Sequence, residues 1–243
     1  MLTDKTAVIT GGNGRVARAT ATALTKQGAK IVLLVRDRLE EAKAFVDSVL
    51  SGSGHRVLLA DVTDTATLRS AVSQISQCDI LINCAGRTEM ISPSHLHQLT
   101  DDIFDNIVSV NLKGTYATIR EFSDLLKVSG DGLIINVTSA AGLGASTSNL
   151  AYGASKAGVD LLTKSLAVSL APAVRVISIA PGYLEQGVSG TNVTAERQAW
   201  MASITPMGRV GTAQEIADSI VAYATVIKFA TGVVVVLDGG RTL

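Results

Sequence analysis

Apolar residues in this chain fall into short runs rich in Val, Ile and Leu, separated by longer stretches where they recur every three or four positions. Runs at 6–10, 30–35, 55–59, 79–83, 132–137, 174–179 and 232–237 predict strands. The stretches between them predict helices over 17–26, from about residue 39, over 66–75, as a pair within 94–128, and over 152–170. The strands are apolar throughout rather than alternating, which is the mark of a parallel sheet covered on both faces, and helices between successive strands supply the crossovers. The expected fold is α/β: a doubly wound parallel sheet of about seven strands with helices on both faces, in one domain over 1–243. One stretch breaks the rhythm. Residues 182–206 show no clear strand and follow the carboxyl end of the sixth run, the edge where open α/β sheets bind ligands. A long connection there is more often functional than decorative, so 183–206 is expected to form a substrate lid. Tyr183, Leu184, Val188, Trp200 and Met201 would give it an apolar lining.

Hydrophobic residues make up 47% of the 243 positions and aromatic ones only 4%, so the core must be built from Val, Ile, Leu and Ala. The formal net charge is +0, which removes the electrostatic footprint of a nucleic-acid or anionic-membrane partner. No apolar stretch reaches the ~20 residues that span a bilayer, and the opening residues lack the layout of a signal peptide. The chain therefore reads as soluble and cytoplasmic. Cys78 and Cys84 are too few for a disulfide framework and lack neighbouring ligands for a metal, so reduced thiols are expected. The mean hydropathy of +0.35 then reflects the core and subunit interfaces. On 152–170, Ala157, Val159, Leu161, Leu162, Leu166 and Val168 cover much of the helix, which predicts a homotetramer or at least a homodimer.

Two patterns carry chemistry. The turn Thr10-Gly11-Gly12-Asn13-Gly14-Arg15-Val16-Ala17 joins the first strand to the first helix. Glycines there let backbone N–H groups approach a pyrophosphate at a helix N-terminus, where the dipole favours anions. Gly11, Asn13, Gly14, Arg15 and Val16 are accordingly candidates for holding a dinucleotide. Further along, Tyr152 and Lys156 are spaced i and i+4, so phenol and ammonium share one helix face. Ser139 lies 13 residues before Tyr152, at the end of the fifth strand.

These residues resemble the short-chain dehydrogenase/reductase family, its 3-oxoacyl reductase-like members in particular, and the resemblance covers essentially the whole chain. It implies a Rossmann-type fold and a catalytic tetrad of Asn111, Ser139, Tyr152 and Lys156, with Tyr152 and Lys156 also touching the cofactor. Asn83-Cys84-Ala85-Gly86 stands where the family has Asn-Asn-Ala-Gly, so that Asn83, Ala85 and Gly86 are assigned to the cofactor site. Asp61-Val62 takes the place of the pair that grips adenine, and Pro181-Gly182 lies beside the nicotinamide. Three positions depart from the commonest pattern: Arg15 and Ala17 replace glycines of the loop, and Gln186 stands where Thr often contacts the carboxamide. The implied reaction interconverts a small-molecule carbonyl and a secondary alcohol. Tyr152 acts as acid or base, with its pKa drawn down by Lys156 and the nicotinamide charge, Ser139 orients the carbonyl oxygen, and Asn111 anchors a water.

At the end of the second strand Val35 replaces the aspartate of NAD-preferring members and is followed by Arg36. With Arg15 across the loop, this points to NADP, while Asp37, expected to turn back to solvent, keeps NAD as the alternative. An NAD-dependent polyol or alcohol dehydrogenase and a non-catalytic dinucleotide sensor remain the rival readings. A sugar-nucleotide epimerase would need a substrate domain of roughly 100 residues that this chain does not supply. His95 and His97 read as an exposed helix face, and Arg87 and Glu185 as possible contacts to a polar substrate.

Overall fold

Alternate residues of each apolar run go to opposite faces of a single sheet, because successive side chains of a strand point in opposite directions. The computed structural model describes residues 1–50, 52–144, 147–185 and 193–243. Its strands are β1 (Thr6–Thr10), β2 (Lys30–Val35), β3 (Arg56–Leu59), β4 (Ile80–Asn83), β5 (Gly132–Val137), β6 (Val174–Pro181) and β7 (Val234–Leu237). They form one parallel sheet in the order β3-β2-β1-β4-β5-β6-β7. Ile9, Leu33, Ile82, Ile135 and Ile177 pack into one layer with α1 (Arg15–Thr25), α2 (Leu39–Val49) and α8 (Ala213–Thr225). Val8, Leu34, Leu81, Ile134 and Val176 pack into the other with α3 (Thr65–Val72), α5 (Gly114–Val128) and α6 (Leu150–Leu170). The expected architecture is the observed one.

The strand order reverses at β1, where Thr10 pairs with Leu34 of β2 on one side and Asn83 of β4 on the other. Chains leaving β1 and β4 diverge to opposite faces there, which opens a crevice at the carboxyl edge.

The helical regions differ in detail from expectation. Residues 94–128 begin with a single 3₁₀ turn at Leu96–Gln98, followed by α4 (Asp101–Val108), a π-helical turn at Ser109–Lys113, and α5. Within the stretch read as a lid, α7 (Ala195–Ser203) is helical and capped by Thr194, whose Oγ1 accepts from Arg197 N at 3.2 Å. Residues 186–192, including Gln186 and Val188, lie outside the described residues. Helix α8 was not anticipated, although its start is marked. Thr212 and Glu215 form a capping box, each side chain satisfying an orphan backbone N–H of the first turn. Ile216, Ala217, Ile220 and Ala224 then bury one face. On α6, Val159 is buried, whereas Leu161 and Val168 are exposed, so the apolar covering of this helix is split between core and surface. No helix among the described residues is long and apolar enough to cross a membrane.

Candidate active site

The crevice at the carboxyl edge is an open cavity of about 600 Å³, within the usual range for a small-molecule site. The glycine turn, the ends of β2 and β3, and the segment after β4 line it. Gly11, Asn13, Gly14, Arg15, Arg36, Asp61, Val62, Ala85 and Gly86 all reach it. Val16 packs against the core instead. Asn83 is buried within the sheet, where its Nδ2 donates to Asn136 Oδ1 at 2.8 Å.

The turn is built for close backbone approach. Gly11 has φ +67°, and a Cβ there would meet Ala85 Cα and N at 2.9 Å. Gly12, not singled out beforehand, is as restricted, since its Cβ would lie 2.8 Å from Leu33 Cβ. Thr10 Oγ1 accepts from Cys84 N and Ala85 N, both at 3.1 Å, and ties the two walls together. Gly14 caps α1 without a side-chain hydrogen bond, so no side chain competes with an anion for the helix's first turn. These residues fit a dinucleotide phosphate.

Asn13 behaves differently from a simple ligand contact. Its Nδ2 donates to Asp37 O at 3.1 Å and Arg38 O at 3.4 Å, while its Oδ1 accepts from Arg18 at 3.0 Å. The side chain thus holds the loop after β2. In that loop Arg38 adopts φ +50°, and Asp37 stands at the rim of the crevice with its carboxylate half exposed to solvent. Arg36 donates to Asp37 Oδ2 through Nε at 3.1 Å and NH2 at 2.9 Å, and Arg38 Nε reaches Oδ1 at 3.4 Å. The Arg36 hydrogen bond, with both guanidinium charges, holds the Asp37 carboxyl below the usual carboxylate range. Asp61 accepts from Thr63 N and Oγ1 at 2.8 and 2.7 Å. Val62 packs on Gly114, where a Cβ would come within 2.7 Å of Val62 Cγ2.

The other half of the site is organised by the start of α6. Asn149 caps that helix by accepting from Tyr152 N at 2.8 Å, and Ser155 Oγ donates to Tyr152 O at 2.8 Å. From the π-helical turn, Asn111 Nδ2 donates to Ser155 Oγ and to Arg87 O, both at 3.0 Å, and its Oδ1 accepts from Arg87 N at 2.8 Å. Asn111 therefore clamps α6 to the segment after β4. Lys156 donates to Val137 O at 2.9 Å, with its Nζ 5.8 Å from the Tyr152 ring centroid. A Cβ on Gly86 would sit 3.6 Å from Asn111 Oδ1 and 3.7 Å from Lys156 Nζ. The dinucleotide crevice thus meets the side chains of Asn111 and Lys156 over the bare face of Gly86. Ser139 Oγ accepts from Ala141 N at 3.2 Å and lies beside the Tyr152 phenol.

Burial decides the charges here. It pushes the Lys156 ammonium down to about 8, opposed by the neighbouring Cys84 and Asp160. It also raises the Tyr152 phenol above its ordinary value, with the Ser139 hydrogen bond pulling the other way. The expectation that Lys156 would lower the Tyr152 pKa is thus corrected among the protein's own groups. The ammonium turns to the Val137 carbonyl, and desolvation of the phenolate outweighs it.

Beyond β6, Gly182 N donates to Leu237 O at 2.9 Å, and a Cβ on Gly182 would meet Asp238 Cα at 2.7 Å, which presses the Pro181-Gly182 turn onto the C-terminal tail. Tyr183 and Trp200 come together with ring centroids 6.2 Å apart. Arg241 and Arg197, both missed in the sequence, lie over these rings at 4.3 and 4.2 Å. Arg87 is paired with Glu89 at 2.7 Å, and Glu185, His95 and His97 are exposed.

A family model described as enoyl-(acyl carrier protein) reductase matches residues 13–242. A cis-4-hydroxycyclohexanecarboxylate dehydrogenase of Sinomonas cyclohexanicum is 31% identical, over 98% of this chain and 97% of its own. A 3-oxoacyl-[acyl-carrier-protein] reductase of Synechocystis is 29% identical, over 100% of this chain and 98% of its own. A solved short-chain type dehydrogenase/reductase from Mycobacterium ulcerans superimposes with a TM-score of 0.90 at 25% identity, covering 99% of this chain and 90% of that one. The chain belongs to the short-chain dehydrogenase/reductase family of oxidoreductases, which use nicotinamide dinucleotides.

Proposed function

We propose that the chain is an NADP(H)-dependent oxidoreductase interconverting a carbonyl and a secondary alcohol, acting on 3-oxoacyl or small-ketone substrates. The observation that carries this reading is the convergence of Lys156 Nζ and Asn111 Oδ1 over Gly86, at the end of the dinucleotide crevice and beside Tyr152. When bound there, the nicotinamide supplies or accepts the hydride. Tyr152 gives its phenolic proton to the carbonyl oxygen during reduction and takes one from the hydroxyl during oxidation. Ser139 Oγ, beside that phenol, orients the same oxygen. Lys156 holds the ribose hydroxyls. Asn111 fixes the start of α6 and, through an ordered water, leads protons from Lys156 to solvent.

NADP is favoured by Arg36 at the mouth of the adenosine end, with Arg15 on the facing loop. The names of the relatives support oxo-acid and oxoacyl substrates without choosing between them. Tyr183 and Trp200 offer an apolar substrate wall, the described part of the lid. Leu161 and Val168 on α6, with Val128 on α5, leave apolar surface that a second copy would cover in a cytoplasmic homotetramer or homodimer. Tyr152→Phe tests the chemistry. Turnover of a 3-oxoacyl thioester should fall by ~10²–10⁴, the range for general acid–base catalysis, with NADPH binding nearly unchanged. Retention of most of the activity overturns the assignment.

A further inference from the structure

Asp160 lies one helical turn beyond Lys156 on the buried face of α6, and the chemistry above leaves it without a role. The residue is 5% exposed, and neither carboxylate oxygen has a hydrogen-bond partner. The hydroxyls facing it, Ser178 from β6 and Thr138 just past the end of β5, are engaged elsewhere. Thr138 Oγ1 donates to Ile179 O at 3.2 Å, and Ser178 Oγ is paired with Thr163 Oγ1 at 2.8 Å. Thr163 also accepts from Asn136 Nδ2 at 2.9 Å, and Asn136 accepts from Asn83. A line of buried amides and hydroxyls therefore runs from β4 to α6 and fixes the walls around the carboxylate. An unpaired buried carboxyl group is costly, and an apolar side chain would fill the space without that cost.

We propose that Asp160 is a positioning residue for the oxidoreductase reaction: its carboxylate, set behind Lys156 on α6, keeps the Lys156 side chain charged inside a buried site. Residues i and i+4 are neighbours on a helix, so the two groups act through space while Lys156 Nζ itself bonds Val137 O. The charged and titratable groups around them are few. Lys164 stands on the same helix beyond Asp160, Tyr152 lies on the other side of Lys156, and Cys84 faces Lys156 from the end of β4. Burial pushes the Cys84 thiol up to about 12, so it is neutral in the working range, and the anion that opposes desolvation of Lys156 is Asp160. Burial raises Asp160 as well, opposed by the two hydroxyls and by the charges of Lys156 and Lys164.

The inference rests on Lys156 holding the cofactor ribose as proposed above. NADPH fluorescence titrations from about pH 7 to about pH 10 test it on wild type, Asp160→Asn, Asp160→Glu and Lys156→Met. Wild-type affinity should fall as pH passes the Lys156 value of about 8. In Asp160→Asn the fall should come at least about half a pH unit lower, roughly threefold weaker binding near that pH, and Asp160→Glu should restore it. An Asp160→Asn curve that superimposes on wild type overturns the inference alone. A wild-type curve no different from Lys156→Met overturns the role of Lys156 on which it rests. If circular dichroism shows Asp160→Asn unfolded, Asp160→Ser carries the same comparison.

Discussion

Replacing Lys156 by Met should make the cofactor-free protein more stable while removing its activity. Met keeps the apolar stem of the side chain and deletes the ammonium. The fall of the Lys156 pKa from 10.5 to about 8 is the cost of charging a 6% exposed group, roughly 3 kcal/mol at ~1.4 kcal/mol per unit. Against this stands the hydrogen bond to Val137 O, which contributes about 1 kcal/mol net. The variant should therefore gain about 2 kcal/mol near neutral pH, or roughly 4–8 °C in Tm for a domain of this size. The pH dependence follows from linkage. Between about 8 and 10.5 the unfolded chain binds the Lys156 proton more tightly than the folded one does, so wild-type stability rises with pH through that window. Below the window both states carry the charge and the full cost is present; above it both are neutral and the cost is gone. Urea melts at fixed protein concentration, near pH 7 and near pH 10, should show the advantage of Lys156→Met shrinking as pH rises. A variant less stable than wild type at neutral pH, or an advantage that stays constant across the window, refutes the reasoning.

Cofactor choice should rest on Arg36. With each charge-assisted contact contributing ~1.5–3 kcal/mol, Arg36→Ala should weaken NADPH binding at least about tenfold and change NADH little, read as kcat/KM for both cofactors. A wild-type enzyme that prefers NADH means that Asp37, bridged by Arg36 and Arg38, holds the ribose instead. Light scattering at micromolar concentration should give two or four times the 25.2 kDa of one chain, because Leu161 and Val168 are 66% and 82% exposed on α6. A mass near that of one chain removes the argument from surface hydrophobicity.

Local pattern alone determined the layers of this protein. Runs such as Ile31-Val32-Leu33-Leu34-Val35 have no polar face and fold into a sheet covered on both sides, and the intervening periodicity of about 3.6 makes the covering helices. It also placed the candidate chemistry, because Tyr152 and Lys156 share a helix face at i and i+4 and Gly11 and Gly14 mark the turn into α1. Capping of α8 is equally local: Thr212 and Glu215, three residues apart, announce it. Only tertiary structure decided the direction of side chains whose partners lie far away in sequence. The Asn13 side chain turns to the carbonyls of Asp37 and Arg38, 24 and 25 residues further on, and holds the loop after β2. Asn83 serves the sheet because Asn136 of β5 stands beside it in register. The charge of Tyr152 and Lys156 was likewise beyond any local pattern, because burial sets it, and burial is the sum of what α6, β4, β5 and the π-helical turn bring together around two polar atoms.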